Sequence, residues 1–594
     1  MNNEMYSFIG KLWSHIASKR RMQFGFLLIL ILLSSIFEMI SIGAVFPFLL
    51  VLSTPDVLFD YDVIKQFFLY FGYEDPRDTL FITTLFFSCS VLLAGMFRLL
   101  LLYFVNFMSY VSCADIGVIA VNKTLKQPYS VHTTRNSSEL INSVVVKVNT
   151  VLQSVVLPGL TLVSSVLTAL GILVVLSIVS FKISMTVCII LGLVYSFFIK
   201  FTKKRVSDNS KNIAIKSTRV IKILQESFGG IRDVILDNAQ NLHSQIYKKA
   251  ELEFRLAQAS NSFIGASPRF IIEPFGIILI AVIAYQFTTS QSGSGIASVV
   301  PTLGALALGF QRLLPILQQT YASITSIRGS HASFADVIFL LDQKIDDVEE
   351  DLYKPNEKLF FQNTLELKNI SYRYAIGTPL VLKEINLEIQ KGSSIGIIGE
   401  TGSGKSTLID IIMSLLSPTQ GSLEADGKKI DKDNLKCWRS FISHVPQSIF
   451  LIDSTIAENI ALNVLKENID LKRLDKVIKQ AQLFKFIEDL PDKLETMIGE
   501  RGVRLSGGQR QRIGIARALY KESEVIVFDE ATSALDSKTE RLIMNEIKKL
   551  EIKPTVIIVA HRHLTLENCD QIIEVKNGRL EFHGTYEHFK NIKN

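Results

Sequence analysis

Gly399, Glu400, Thr401, Gly402, Ser403, Gly404, Lys405, Ser406 and Thr407 follow one another in this 594-residue chain and spell G-x-x-x-x-G-K-S with one further hydroxyl. The glycines let backbone N–H groups approach and cradle phosphate oxygens; Lys405 neutralises charge on the β and γ phosphates, and Ser406 offers its hydroxyl to Mg²⁺. The pattern carries this meaning at a strand-to-helix turn, and residues 394–399 (Ser-Ile-Gly-Ile-Ile-Gly) supply the strand. A second chemical pair, Asp529 and Glu530, ends the apolar run that starts at Val525. Adjacent carboxylates at the carboxyl end of a strand stand where open α/β sheets bind ligands. Asp529 is therefore expected to hold Mg²⁺ through a water, and Glu530 to polarise the water that attacks the γ-phosphate.

These groups need a sheet to hold them. Residues 394–399, Val525–Asp529 and 555–560 are continuous apolar runs between turn and helix signals, as buried parallel strands of an α/β domain require. Just upstream of Asp529 stands Leu505 with Ser506, Gly507, Gly508 and Gln509. With this L-S-G-G-Q signature, roughly residues 365–589 resemble the ATP-binding-cassette superfamily. The resemblance implies further roles, residue by residue. Tyr374, 25 residues before Gly399, matches the aromatic that stacks on adenine, and Gln447 the glutamine that joins Mg²⁺ to the membrane domain. Glu500 matches the exporter-type X-loop, residues 533–536 the D-loop with Asp536, and His561 the histidine that senses the γ-phosphate. The segment after His561 departs from the usual Arg-Leu-Ser-Thr, reading Arg562, His563, Leu564, Thr565, Leu566. In the family, Ser506 and Gly508 of one subunit complete the ATP site of the other. A homodimer is thus implied, closed by ATP and reopened by hydrolysis.

The first half is of a different kind. Hydrophobic residues make up 48% of the chain and charged residues 20%, with mean hydropathy +0.30, a balance that argues against disorder and against a fully soluble enzyme. Apolar runs at residues 23–52, 80–107, 151–179, 183–201, 263–287 and 296–324 give six expected spans among membrane lipids. The first run is too long for a cleaved signal peptide and is expected to stay as a helix. Lys19, Arg20 and Arg21 precede it and Lys200, Lys203, Lys204 and Arg205 follow the fourth, so the positive-inside rule places both termini and the cassette in the cytoplasm. Residues 112–150 and 200–262 read as helices extending from the membrane, and residues 57–71 as either an interfacial helix or a loop packed on its own aromatics. Residues 130–143 and 226–236 occupy the places of the family's coupling helices, expected to dock near Gln447. The expected fold is a six-span α-helical transmembrane domain, residues 1–345, fused to an α/β nucleotide-binding domain, residues 346–594, in the type IV ABC exporter architecture. Five scattered cysteines form no CxxC pair or metal pattern, and the mild net charge of +6 with no basic stripe argues against nucleic acid.

Charges inside the spans bear on cargo, because each must face protein, a cavity or water. They are Glu38, Arg98, Arg269, Glu273 and Arg312. Structural ion pairing accounts for Arg269 with Glu273 at i and i+4; the excess of arginine suits an anionic cargo, since guanidinium matches phosphate oxygens. Residues 37–48, 268–273 and 311–315 resemble the exporter branch that includes the bacterial flippase for lipid-linked oligosaccharides. The resemblance implies an inner-membrane flippase for a polyprenyl-pyrophosphate-linked glycan or similar anionic glycolipid, with ATP and Mg²⁺. A multidrug or peptide exporter is the alternative, and an ATP-gated channel or regulator a third class. A soluble ATPase is incompatible with six spans.

Overall fold

The computed structural model describes residues 3–54, 76–290, 296–343, 359–375, 377–532, 534–560, 566–567 and 569–593. Two compact units result, Met1–Gln127 with Arg135–Lys344 and Pro128–Thr134 with Ile345–Asn594.

The first unit is helical: α1 (Asn3–His15), α2 (Ser18–Gly43), α3 (Val45–Ser53), α4 (Pro76–Leu125), α5 (Leu157–Val179), α6 (Phe181–Gly229), α7 (Gln240–Ser290), α8 (Ile296–Gly329) and α9 (His331–Leu341). Among the described residues, Ser18–Ser53, Leu80–Leu125, Ser137–Val179 and Phe181–Gly229 are long and apolar enough to cross a membrane. The fifth and sixth expected runs lie on α7 and α8. The first run, expected as one helix, divides at Ala44 into α2 and α3. Pro47 has no N–H to give the Gly43 carbonyl, so the helix loses a bond at that point. Helices α6 and α7 run on past their apolar runs through residues 200–262, and a short helix, Ile231–Leu236, turns the chain between them. Val220 and Ile223 of α6 pack on Ala250 and Phe254 of α7, a spacing of three and four that keeps one stripe inside.

Residues 142–156 depart from the plain helix expected there. Two π-helical turns, Asn142–Lys147 and Leu152–Val156, flank the α-helical Val148–Val151. Widened turns re-aim side chains, and here two buried polar groups find partners. Asn142 Nδ2 donates to Thr218 Oγ1 at 2.9 Å, and Lys147 Nζ to Asp336 Oδ2 at 2.7 Å.

The second unit holds two sheets. β1 (Thr364–Tyr372), β2 (Leu382–Gln390), β4 (Gln420–Ala425) and β5 (Lys428–Lys429) form an antiparallel sheet in the order β2-β1-β4-β5. β3 (Ser394–Ile398), β6 (Ile442–Val445), β7 (Val525–Asp529), β8 (Thr555–Val559), β9 (Gln571–Lys576) and β10 (Arg579–Gly584) form the other in the order β10-β9-β3-β8-β7-β6. Strands β9, β3, β8, β7 and β6 run parallel, and all five residues of β8 are buried. One core lies between the sheets around Ile395, Leu408 and Trp438; another, around Ile456, Ile513 and Phe528, packs helices on the far face. The parallel register brings the carboxyl ends of β3, β6, β7 and β8 to one edge. The loops that follow them begin at Gly399, Pro446, Glu530 and Ala560, so the phosphate loop, Gln447 and the paired carboxylates share that edge.

Candidate functional site

The phosphate loop is held by backbone packing. Gly399 has φ +150°, and a Cβ there would stand 2.2 Å from the Val575 carbonyl oxygen, so no larger residue fits. Gly404, at φ +107°, opens helix α10 (Lys405–Ile412). Lys405 is folded back over the loop, its Nζ donating to the carbonyls of Gly399 at 2.7 Å and Glu400 at 2.8 Å. Among the described residues, the buried Ser403 Oγ has no protein partner. An orphaned hydroxyl beside a buried ammonium at a helix start is what phosphate oxygens would satisfy. Tyr374 is half-exposed, and its Oη lies 3.0 Å from Thr407 Oγ1, which ties an open aromatic ring to the first turn of α10.

At the end of β7, Glu530 adopts φ +50°, a left-handed conformation rare for a residue with a side chain. Its N–H donates to the Val559 carbonyl at 3.1 Å, which pins the turn to β8. Gln447 Nε2 donates to Glu530 Oε2 at 2.7 Å, joining two residues 83 apart in sequence. Burial, then the neighbouring Glu530, raise the Asp529 carboxyl above its ordinary value against the opposing pull of Lys405. The oxygens of Ser406, Gln447 and Asp529 are the hard donors Mg²⁺ takes, and the crowded negative charge suits a dication.

Asp410 escaped the sequence reading, since a lone aspartate within a helix matches no motif. Burial and then Asp529 push its carboxyl up to about 6 from 3.8. The folded chain therefore binds this proton more tightly than the unfolded one. The stabilising contribution is full below the unfolded value and is lost as pH rises through about 6. Asp410→Asn should raise the melting temperature of the nucleotide-free protein at pH 7.5, with the gain shrinking as pH falls towards 4. A gain of equal size across that range, followed by thermal unfolding, would mean that charge at Asp410 is not its source.

Ser506 caps α11 (Gly507–Tyr520): its hydroxyl accepts from Gln509 N at 3.2 Å while Gln509 Oε1 accepts from Ser506 N at 2.8 Å. The signature residues thus close a capping box on their own helix. Gln511 Oε1 accepts from Ala534 N at 2.9 Å and ties that helix to the D-loop. Asp536, expected at the nucleotide, caps α12 (Ser537–Lys548) by accepting from Thr539 N at 2.9 Å, and this hydrogen bonding holds its carboxyl below the usual range. His561 and Ser533 lie outside the described residues.

In the helical unit, Glu38 of α2 is buried and pairs with Arg98 of α4 through Oε2. Its Oε1 lies 3.8 Å from Arg312 Nη1 of α8. One carboxylate therefore serves two guanidiniums, the three side chains coming from three helices. Arg269 stands apart with Glu273, Nε to Oε2 3.3 Å, both lining a cavity of about 460 Å³ with Tyr195 and Gln311. The five charged residues thus form two groups.

Residues 382–533 match the ABC transporter family and residues 23–312 the ABC transporter transmembrane region. The ATP-dependent lipid A-core flippase of Saccharophagus degradans is 31% identical over 527 residues, 84% of each chain. That of Cupriavidus metallidurans is 30% identical over 463 residues, 76% of this chain and 75% of the relative. The heterocyst differentiation ATP-binding protein HepA of a Nostoc species is also 30% identical, over 76% of this chain and 72% of its own. A solved structure of a bacterial Atm1-family ABC exporter with ATP bound shares the fold at TM-score 0.77 and 20% identity, over 97% of this chain and 96% of that one. A helical membrane region and an α/β cassette on one polypeptide, both matched, make this chain a multi-pass member of the ABC transporter family that binds ATP and couples its hydrolysis to transport.

Proposed function

We propose that the chain works as a homodimeric flippase in the bacterial inner membrane, carrying an anionic glycolipid of the lipid-linked oligosaccharide class. The observation that carries this reading is the Glu38 cluster. Two guanidiniums share one carboxylate among membrane-spanning helices, which leaves a surplus positive charge where charge is costly. A phosphate or pyrophosphate headgroup supplies the missing anion. The flippase names of the relatives point to the same cargo chemistry.

In the cassette, Lys405 and the loop N–H groups bind the phosphates, Tyr374 offers its ring to the base, and Glu530 takes the proton of the attacking water. Ser406, Asp529 and Gln447 would hold Mg²⁺, which when bound offsets charge on the β and γ phosphates. Gln447 positions Glu530 through the hydrogen bond between them.

The test is translocation of a labelled polyprenyl-pyrophosphate glycan in proteoliposomes, beside ATPase activity and thermal stability. Arg98→Ala and Arg312→Ala should each slow transport by about 10- to 150-fold, the loss of one charge-assisted contact of about 1.5–3 kcal/mol. Basal ATPase, carried by the cassette, should persist. Glu38→Gln should act in the opposite sense and lower KM for the lipid, because the carboxylate competes for the same guanidiniums. Stable arginine variants that move the lipid at the wild-type rate would leave the cluster as a structural tie and favour an uncharged or cationic cargo.

A further inference from the structure

We propose that the cavity lined by Gln258, Asn261, Gly265, Gln318, Thr325 and Ser330 binds the uncharged sugar portion of the cargo, an inference that rests on the glycolipid reading above. The cavity, about 530 Å³, lies where α7 and α8 meet the segment with the π-helical turns, which contributes Thr150 and Ser154. That volume falls within the roughly 300–1,000 Å³ of ligand pockets.

Its chemistry is selective. Nine of the fourteen lining residues carry a hydroxyl or an amide, and none is charged or aromatic. Polar groups at this density are costly at the end of apolar spans unless water or a ligand meets them. A charged ligand finds no counter-ion among these residues, and an alkyl chain leaves the amides unmet. A sugar presents donors and acceptors around its whole ring and meets both kinds of group.

Two amides are already oriented. Gln318 Nε2 donates to the Gly265 carbonyl at 2.8 Å, and among the described residues the buried Gln318 Oε1 has no protein partner, so an acceptor waits there. Asn209 Nδ2 donates to Asn261 Oδ1 at 2.9 Å, so Asn261 keeps its own N–H groups to offer. The neighbouring cavity begins at Arg269, four residues beyond Gly265 and about 6 Å further along the axis of α7. Pro315 lines that cavity and Gln318 this one, so α8 joins them as well. The two cavities lie in series, one with the Arg269–Glu273 ion pair and one neutral, so the neutral one suits the uncharged part of a headgroup whose phosphate is met elsewhere.

Gly265 gives a clean probe. A Cβ there meets nothing within 4 Å, so Gly265→Leu starts into open space and favours the helix. Gln318→Leu removes the waiting acceptor at similar volume. The first arm is saturation-transfer NMR on the full-length protein with neutral chitotriose, and with trigalacturonate as a charged control. Wild type should saturate chitotriose over the control, and each variant should weaken that signal about tenfold. No wild-type signal, or an undiminished signal in both variants, overturns the sugar site whatever the cargo is. The second arm compares polyprenyl pyrophosphate with and without a neutral trisaccharide in proteoliposomes. Gly265→Leu should cut transport of the glycosylated lipid about tenfold more than that of the bare lipid; equal losses overturn the inference. If wild type moves neither lipid, the glycolipid reading fails, and the NMR arm alone decides the sugar site.

Discussion

Glu530→Gln is expected to bind ATP normally and to lose hydrolysis by about 100- to 10,000-fold, the usual worth of a positioned general base. The substitution keeps the size of the side chain, and its amide oxygen still accepts from Gln447, so the geometry at the end of β7 survives. What disappears is the group that takes the proton from the attacking water. Purified wild type and variant should therefore differ in steady-state phosphate release and not in nucleotide affinity, with melting temperatures alike. Near-normal turnover in the variant would remove Glu530 from the chemistry and move the search for the base to other groups near the loop.

The second large effect is complementation. On the proposed homodimer, the phosphate loop of one chain faces Ser506 and Gly508 of the other. Lys405→Ala and Ser506→Arg should then each silence ATPase as homodimers, because both sites are damaged. Co-assembled, the two variants give mixed dimers with one doubly damaged site and one intact. Activity should return to about a quarter of wild type, half of the dimers carrying half of the sites, if the sites act independently. Ser506→Arg also removes a helix cap, at a cost of about 1 kcal/mol, so thermal unfolding must show that the variant is folded. No recovery in the mixture, with mixed dimers isolated by two affinity tags, would place each complete site within a single chain.

Much of the cassette was legible because its chemistry is local in sequence. Residues 394–407 contain a buried strand, its turn and a helix start in one stretch, and their glycines report a backbone that only glycine permits, as Gly399 against Val575 shows. The apolar runs ending at Asp529 and Ala560 read as buried parallel strands for the same reason. Asp410 was not legible, since its raised pKa comes first from burial and then from Asp529, which is far off in sequence. The pairing of Glu38 with Arg98 and Arg312 spans three helices, and periodicity on any one of them does not reveal it. The neutral cavity draws on residues 150, 154 and 213 and on the stretches 258–266 and 318–330, and its polar members are ordinary residues until packing gathers them. Asp536 shows the converse. Its motif suggested the nucleotide, while the pattern Asp536, Ser537, Lys538, Thr539 is equally that of a helix cap.

Helix α6 is one unbroken element of 49 residues, about 73 Å long at 1.5 Å per residue. Treated as a lever, it turns a tilt of about 5° into a displacement of about 6 Å at its tip. The segment 137–179 beside it is the opposite kind of mechanical part, since two π-helical turns give it places to yield. Force applied at the Gly229 end should therefore travel along α6 as rigid rotation and be absorbed in its neighbour as a change of twist. Spin labels placed at both ends of α6 would move as a fixed pair, whereas labels flanking residues 142–156 would change their separation during the transport cycle.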